Sequence, residues 1–444
     1  MEISKFIIKS KIDPEHMLLF NTLTTALVNL NNEKYDEIFV KHGFSDQSII
    51  PQLTSMGFIV DSHEAELSIL DKIRKTDLEN RVQVVTIFTT TDCNARCYYC
   101  FEEGIKQFDM TLETADKTIA FIKEFYPDKL LTIMWFGGEP LLNFEIIKYI
   151  TLRLKEHGYE LRTHITSNGS LINQEMLDFF IKHYSIVSFQ ITIDDIGESY
   201  YKIKRYRDFT ADNAFDTVIN NVRLLFKNDI ITSIRVNYVS EKIEKAKETL
   251  LNIKELLSDY NPSKFYIYLS PLTFKGNCGM TCDLEKDKEH PMVQLMKFQQ
   301  EIGFPLNSRI QKDKERILLG AYGLIPSGNS CGMSTKRRIV INADGNLYKC
   351  HRFAGIDKYV CGNVIDGVDE QSENYKFFRN ERIDSDECKN CAILPICQGG
   401  CRARKTFYGD NQKCTAIKKV RSELLKLYYN EYIKENKTQG VTQN

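Results

Sequence analysis

Residues 82–100 read VQVVTIFTTTDCNARCYYC. The first half, Val82 to Thr89, is a short β-rich run, and the second half packs Cys93, Cys97 and Cys100 into eight residues directly behind it. Working outward, the same kind of run recurs at Leu130 to Phe136, Leu161 to Thr166, Ile186 to Ile193, Ile231 to Val239 and Phe265 to Ser270. Amphipathic stretches separate the runs. In Thr111 to Phe125, for example, Leu112, Ala115, Ile119 and Ile122 recur at helical spacing behind a Thr111 cap. Strand and helix in alternation build a parallel sheet with helices outside it. Six such units are too few for an eight-stranded barrel. The expected fold class is therefore α/β, an open partial (β/α)6 barrel over residues 82–274 with its chemistry at the C-terminal ends of the strands.

The flanking regions follow other patterns. Residues 1–80 mix β-like pieces (Phe6 to Ile8, Leu27 to Leu30, Met56 to Val60) with helical segments (Tyr35 to His42, Asp46 to Met56), as in a small winged-helix-like module. The charged segment Lys72 to Arg81 joins it to the core. Residues 275–330 read as an irregular bridge. Residues 331–435 form a turn-rich, cysteine-dense block closed by a helix from about Ala416 to Glu435. A net charge of −1 on 444 residues gives no basic surface for nucleic acid or an anionic membrane. The start, MEISKFIIKS, lacks the apolar core and cleavage site of a signal peptide, and no run of eighteen apolar residues occurs. A cytoplasmic protein is expected. In that compartment thirteen cysteines point to metal ligation rather than disulfides.

Three thiolates at CxxxCxxC spacing can wrap three corners of a 4Fe–4S cube and leave the fourth iron free for a small molecule. A zinc site would want a fourth nearby ligand, and none lies close in sequence. With these residues the chain resembles the radical S-adenosylmethionine (SAM) enzymes, whose three-cysteine loop leaves one iron open to the amino and carboxylate groups of SAM. The resemblance implies that Tyr99, just before the last cysteine, lies against the adenine. Phe136-Gly137-Gly138-Glu139-Pro140 is similar to the family's GGEP motif. There the resemblance implies that Gly137 and Gly138 let the backbone approach the SAM amino group and that Glu139 helps to fix it. Thr166-Ser167-Asn168-Gly169 and Ile191-Thr192-Ile193-Asp194 resemble the TNG and SxDG segments. Ser167 and Asn168 are implied SAM contacts and Thr192 an implied ribose contact. The chain departs from the family at Asp194-Asp195, where DG is common, and at Tyr200 to Arg205, where an HDxxR pattern is blurred.

A second constellation comprises Cys331, Cys350, Cys388, Cys391, Cys397, Cys401 and Cys414. Its spacing resembles the SPASM domain of radical SAM peptide maturases, which holds two auxiliary 4Fe–4S clusters. The resemblance assigns Cys331, Cys350 and Cys401 to the first, and Cys388, Cys391, Cys397 and Cys414 to the second, making three clusters in all. Two full clusters need eight ligands and the motif supplies seven. Either Cys278, Cys282 or Cys361 fills the vacancy, or the site is open to a substrate thiolate. The N-terminal module resembles the domains that bind leader sequences by strand addition.

The implied activity is modification of a ribosomally made precursor peptide by hydrogen abstraction with a 5′-deoxyadenosyl radical, forming a crosslink such as a cysteine thioether. An external donor such as flavodoxin or ferredoxin would supply electrons. Alternatives within the family are formylglycine formation in sulfatases and peptide epimerisation. His351 stands where sulfatase maturases have an aspartate base. Outside the family, an iron–sulfur electron carrier or a zinc-binding module would leave GGEP and the strand–helix core without purpose.

Overall fold

The computed structural model describes residues 1–44, 46, 48–79, 82–272, 289–304, 319–320, 322–326, 332–379, 386–408 and 420–431. Cys278, Cys282, Cys331 and Cys414 lie outside these residues. The fifteen strands among them are β1 (Glu2–Ile3), β2 (Ile7–Lys11), β3 (His16–Asn21), β4 (Leu27–Asn31), β5 (Ile59–Val60), β6 (Val84–Phe88), β7 (Leu130–Phe136), β8 (Glu160–Ser167), β9 (Ile186–Thr192), β10 (Ile231–Tyr238), β11 (Phe265–Pro271), β12 (Arg338–Ile341), β13 (Leu347–Tyr348), β14 (Gly362–Asn363) and β15 (Gly367–Val368).

The six expected parallel strands are present as β6 to β11, each hydrogen-bonded to the next in sequence order. They form an open α/β partial barrel. Its inside and outside follow from the period-two geometry of a strand. On β7 and β8 the residues facing the helices, such as Ile133, Trp135, Leu161 and Ile165, are fully buried. The alternate residues are only half-buried and face a central cavity through Phe136 and Thr166. The outer helices match the sequence pattern. Thr111 caps Leu112–Phe125 by accepting from Thr114 N at 3.1 Å, and Ala115, Ile119 and Ile122 are buried.

The sheet has eight strands rather than six, in the order β11-β10-β9-β8-β7-β6-β12-β13. β12, from the cysteine-rich C-terminal region, pairs in parallel with β6, so the two regions share one sheet rather than meeting only across a bridge. That bridge also contains regular structure, the helix Pro291–Glu301, which packs beside β11.

The N-terminal region is a small sheet domain. β2-β3-β4 form an antiparallel meander, β1 pairs with β5, and Ile7, Leu19, Leu30, Phe39, Leu53 and Phe58 fill its core. Two elements differ from the sequence expectation. The strand His16–Asn21 lies between the two expected strands. The supposed charged linker is the end of a 16-residue helix, His63–Leu78, capped by Ser62. Residues 420–431 are helical, within the expected C-terminal helix. Among the described residues no helix is long and apolar enough to cross a membrane.

Candidate active site at the barrel mouth

A cavity of about 1020 Å³ opens at the C-terminal ends of β6 to β11. Cys93, Cys97, Cys100, Tyr99, Gly137, Gly138, Ser167, Asn168 and Thr192 all line it. Residues from the ends of four successive strands, β6 to β9, therefore converge on one space. The opposite wall, formed by Arg352, Gly355, Ile356, Asp357 and Phe407, comes from the C-terminal region.

The three thiols are half-buried and unpaired in disulfides. Burial, then the charge of Glu139, pushes the Cys93 thiol up to about 12, with smaller contributions from Cys97 and Cys100. Burial, then Glu102, raises Cys100 to about 11. Thiols that sense one another's charge need a cation among them to be held together as thiolates. No three His, Cys, Asp or Glu side chains among the described residues close to single-ion spacing. Three free thiols on one loop that all line one cavity are the donor set an iron–sulfur cluster takes, so the residues fit that group.

Two polar relays fix the cysteine loop. On one side Glu139 is completely buried and does not reach the cavity. Its carboxylate accepts from Ser167 Oγ at 2.9 Å, Asn168 N at 2.7 Å and Leu141 N at 3.2 Å. Asn168 then donates to Asn94 Oδ1 at 2.8 Å, with Cys93 Sγ 3.8 Å away. Burial holds the Glu139 carboxyl up at about 7 despite these donors. Its place in the molecule is that of a buttress joining the ends of β7 and β8 to the cysteine loop.

The glycines act similarly. A Cβ on Gly137 would sit 2.1 Å from Thr90 O, and one on Gly138 would sit 2.0 Å from Asp92 O. Gly137 also has φ +132°. Both let β7's end pass against the backbone that leads into Cys93.

On the other side Tyr99 donates its hydroxyl to Asp194, which also takes Asn237 Nδ2 at 2.7 Å and Lys204 Nζ at 2.8 Å. Lys204 and Asp194 are 2% and 3% exposed, so this is a buried ion pair. Burial alone would drive the Lys204 ammonium toward neutrality; Asp194, with Tyr99 and Cys97, holds it well above its ordinary range. The same segment grips the loop through Arg96 N to Lys204 O and Arg207 N to Asn94 O, both 2.8 Å.

Sequence reasoning missed Lys204, Arg235, Asn237, Glu102 and Arg352 as cavity residues. Lys204 lies inside the blurred segment Tyr200 to Arg205, and an acid followed about ten residues later by a helix-terminal base was the available signal. Glu102 is notable because its Oε1 is buried without a hydrogen-bond partner among the described residues, and burial pushes the carboxyl up to about 8. His351 does not line the cavity; it packs against Phe136 with ring centroids 5.0 Å apart, and burial, then Arg352, pushes it down to about 4.

Of the auxiliary cysteines, Cys350 and Cys401 share one apolar cluster with Phe353 and Phe407. Cys388 and Cys391 pack together against a second. Cys361 belongs to neither; it is 1% exposed and its thiol donates to Leu347 O at 3.3 Å.

The sequence model of the Radical SAM superfamily matches residues 87–252, the span that carries the cysteine loop and both relays. The chain is a radical SAM enzyme. Its cofactors are SAM and the radical SAM 4Fe–4S cluster. This radical SAM enzyme is related to SPASM-domain peptide maturases. It is 22% identical to the radical SAM cyclopropyl synthase TigE of Paramaledivibacter caminithermalis, over 90% of this chain and 89% of that one. It is 26% identical to a cysteine-type anaerobic sulfatase-maturating enzyme of Clostridium novyi, over 71% of this chain and 86% of that one. The crystal structure of Streptococcus suis SuiB bound to precursor peptide SuiA superposes with a TM-score of 0.52 at 16% identity, covering 92% of this chain and 98% of that one.

Proposed function

We propose that this radical SAM enzyme modifies a ribosomally made precursor peptide, with a crosslink such as a cysteine thioether as the product. The observation that carries the reading is the placement of the cavity. One wall holds the three cysteines and the motif residues of the barrel, the other Arg352, Gly355, Ile356, Asp357 and Phe407 of the C-terminal region, of which Arg352 lies two residues after Cys350. A peptide side chain entering there would lie between a radical source and a second redox site.

In this reading Cys93, Cys97 and Cys100 hold the SAM-binding cluster. When bound, that cluster supplies the electron that cleaves SAM to the 5′-deoxyadenosyl radical. The chain's own residues orient and enclose. Glu139 and Asn168 fix the cysteine loop, Tyr99 is held by Asp194 on the adenine side, and Ser167 and Thr192 face the cavity as donors to SAM. Residues 331–435 form the SPASM domain. Cys350 and Cys401, with Cys331, would hold one auxiliary cluster, and Cys388, Cys391, Cys397 and Cys414 the other, for three 4Fe–4S clusters per chain. Cys361 belongs to a different apolar cluster from Cys350 and Cys401, and if Cys278 and Cys282 also stay apart the first auxiliary cluster keeps an open position where a substrate thiolate can bind. Residues 1–80 would take the leader as an added strand; β4 is an edge of its sheet, whereas the β2 edge is met by Ser422 at Lys9 and Ser10.

Sulfatase maturation is the second reading, favoured by the Clostridium novyi relative. Against it, that alignment covers 71% of this chain whereas those with TigE and SuiB cover 90% and 92%. Co-expression with a short cysteine-containing reading frame from the same locus, followed by mass spectrometry, is the test. Loss of two hydrogens from the peptide is expected. An unchanged mass with an inverted residue would indicate epimerisation, and a peptide left untouched would refute the reading.

A further inference from the structure

The N-terminal domain does more than present a sheet edge. It is bonded to the turn that carries Cys388 and Cys391. Thr22 Oγ1 donates to Ala392 O at 2.6 Å, immediately after Cys391. His63 Nε2 donates to Lys389 O at 3.0 Å, immediately after Cys388. Lys5 Nζ donates to the side chain of Asn390 between them. His63 is itself held: its Nδ1 lies 3.4 Å from Glu66, a buried carboxylate that also accepts from Ser4. Around these bonds Phe6, Leu23 and Leu70 of the domain form one apolar cluster with Leu394, and both cysteines pack against it.

The pattern is too directed to be a generic domain contact. Three polar groups from three separate places in the domain converge on four consecutive residues of one turn. The two carbonyls they satisfy each follow a cysteine. Outer groups that orient a ligand-bearing segment, and the apolar shell that keeps water from it, set both metal affinity and redox potential.

We infer that the N-terminal domain is part of the auxiliary-cluster site, with Thr22 and His63 as positioning residues for the Cys388–Cys391 turn. The domain then has two roles, holding the cluster segment and receiving the peptide. This rests on the reading of residues 331–435 as a SPASM domain.

The test uses the full chain, reconstituted without oxygen. Thr22→Val with His63→Ala removes both bonds to the turn. SAM cleavage and the signal of the Cys93 cluster should persist, while iron falls from about twelve toward about eight per chain and the corresponding auxiliary signal in reduced electron paramagnetic resonance (EPR) spectra is lost. Thr22→Ser with native His63 keeps both donors and should match the wild type. Iron and auxiliary signals unchanged in the double variant would overturn the inference. Wild-type protein with only about four irons would instead overturn the cluster assignment on which it stands.

Discussion

Replacing Lys204 by methionine removes the one cation of the buried pair while keeping most of the apolar volume. Asp194 is then left 3% exposed with two neutral donors, Asn237 at 2.7 Å and Tyr99. Breaking a buried ion pair by removing one partner typically costs about 3–5 kcal/mol, and the surviving donors place this site near the lower end. Lys204→Met should thus destabilise the apo chain by roughly 3 kcal/mol, and Asp194→Asn by a similar amount because it strands the ammonium. The double variant has no charge to strand and should recover much of the loss, giving a coupling energy of about 1.5–3 kcal/mol. Urea denaturation followed through Trp135 reads this directly. It is the chain's single tryptophan, lies fully buried on β7, and donates to Tyr184 OH at 3.2 Å. A Lys204→Met loss below about 1 kcal/mol, or a double variant equal to the sum of the singles, would refute the description of the pair as the brace of the cysteine loop.

Gly138→Ala places a methyl group 2.0 Å from Asp92 O and 2.9 Å from Cys93 N, main-chain atoms that cannot rotate away. At about 1–3 kcal/mol of overpacking, SAM cleavage should fall roughly ten- to a hundredfold in a 5′-deoxyadenosine assay, and normal turnover would contradict the close-approach argument. Glu102→Met removes a buried acceptor that lacks a donor, so the apo chain should gain about 1 kcal/mol in denaturation while peptide turnover falls. Loss of stability would show that Glu102 has a partner in the folded chain. His164, two residues below the cavity-facing Thr166 on β8, is held down at about 4 by burial and hydrogen-bonds Ser188 Oγ at 2.9 Å. Its folded value lies below the unfolded one, so its contribution is complete above about pH 6.5 and is lost as the pH falls toward 4, by up to about 3 kcal/mol. His164→Gln should flatten that part of the stability curve; an unchanged slope would assign it to other groups.

Where the sequence was legible, the signal was local. The six barrel strands and the helix behind Thr111 follow from short-range periodicity, and the three cysteines from their spacing. What was missed depends on distant partners. β12 is four residues, Arg338–Ile341, whose place beside β6 depends on pairing across some 250 positions. The helix His63–Leu78 buries Glu66 and Arg74 on either side of the short stripe Leu67, Leu70 and Ile73, so charged residues interrupt its inner face. The strand His16–Asn21 ends in four consecutive buried residues, Leu18 to Asn21, without alternation. At the site, the motif residues were legible from their spacing, but the partners that hold them were not. Glu139 meets Ser167 and Asn168, and Gly137 and Gly138 pass against Thr90 and Asp92, neighbours that only the folded chain brings together.

The central claim is that three sulfurs, from Cys93, Cys97 and Cys100, hold a cluster whose remaining iron takes SAM. EPR of the dithionite-reduced, oxygen-free protein, recorded before and after adding SAM, tests it most directly. A cluster signal that shifts on addition of SAM, with methionine and 5′-deoxyadenosine released in equal amounts and both effects absent from Cys97→Ala, is the predicted result. A signal indifferent to SAM, or one that survives in Cys97→Ala, would contradict it.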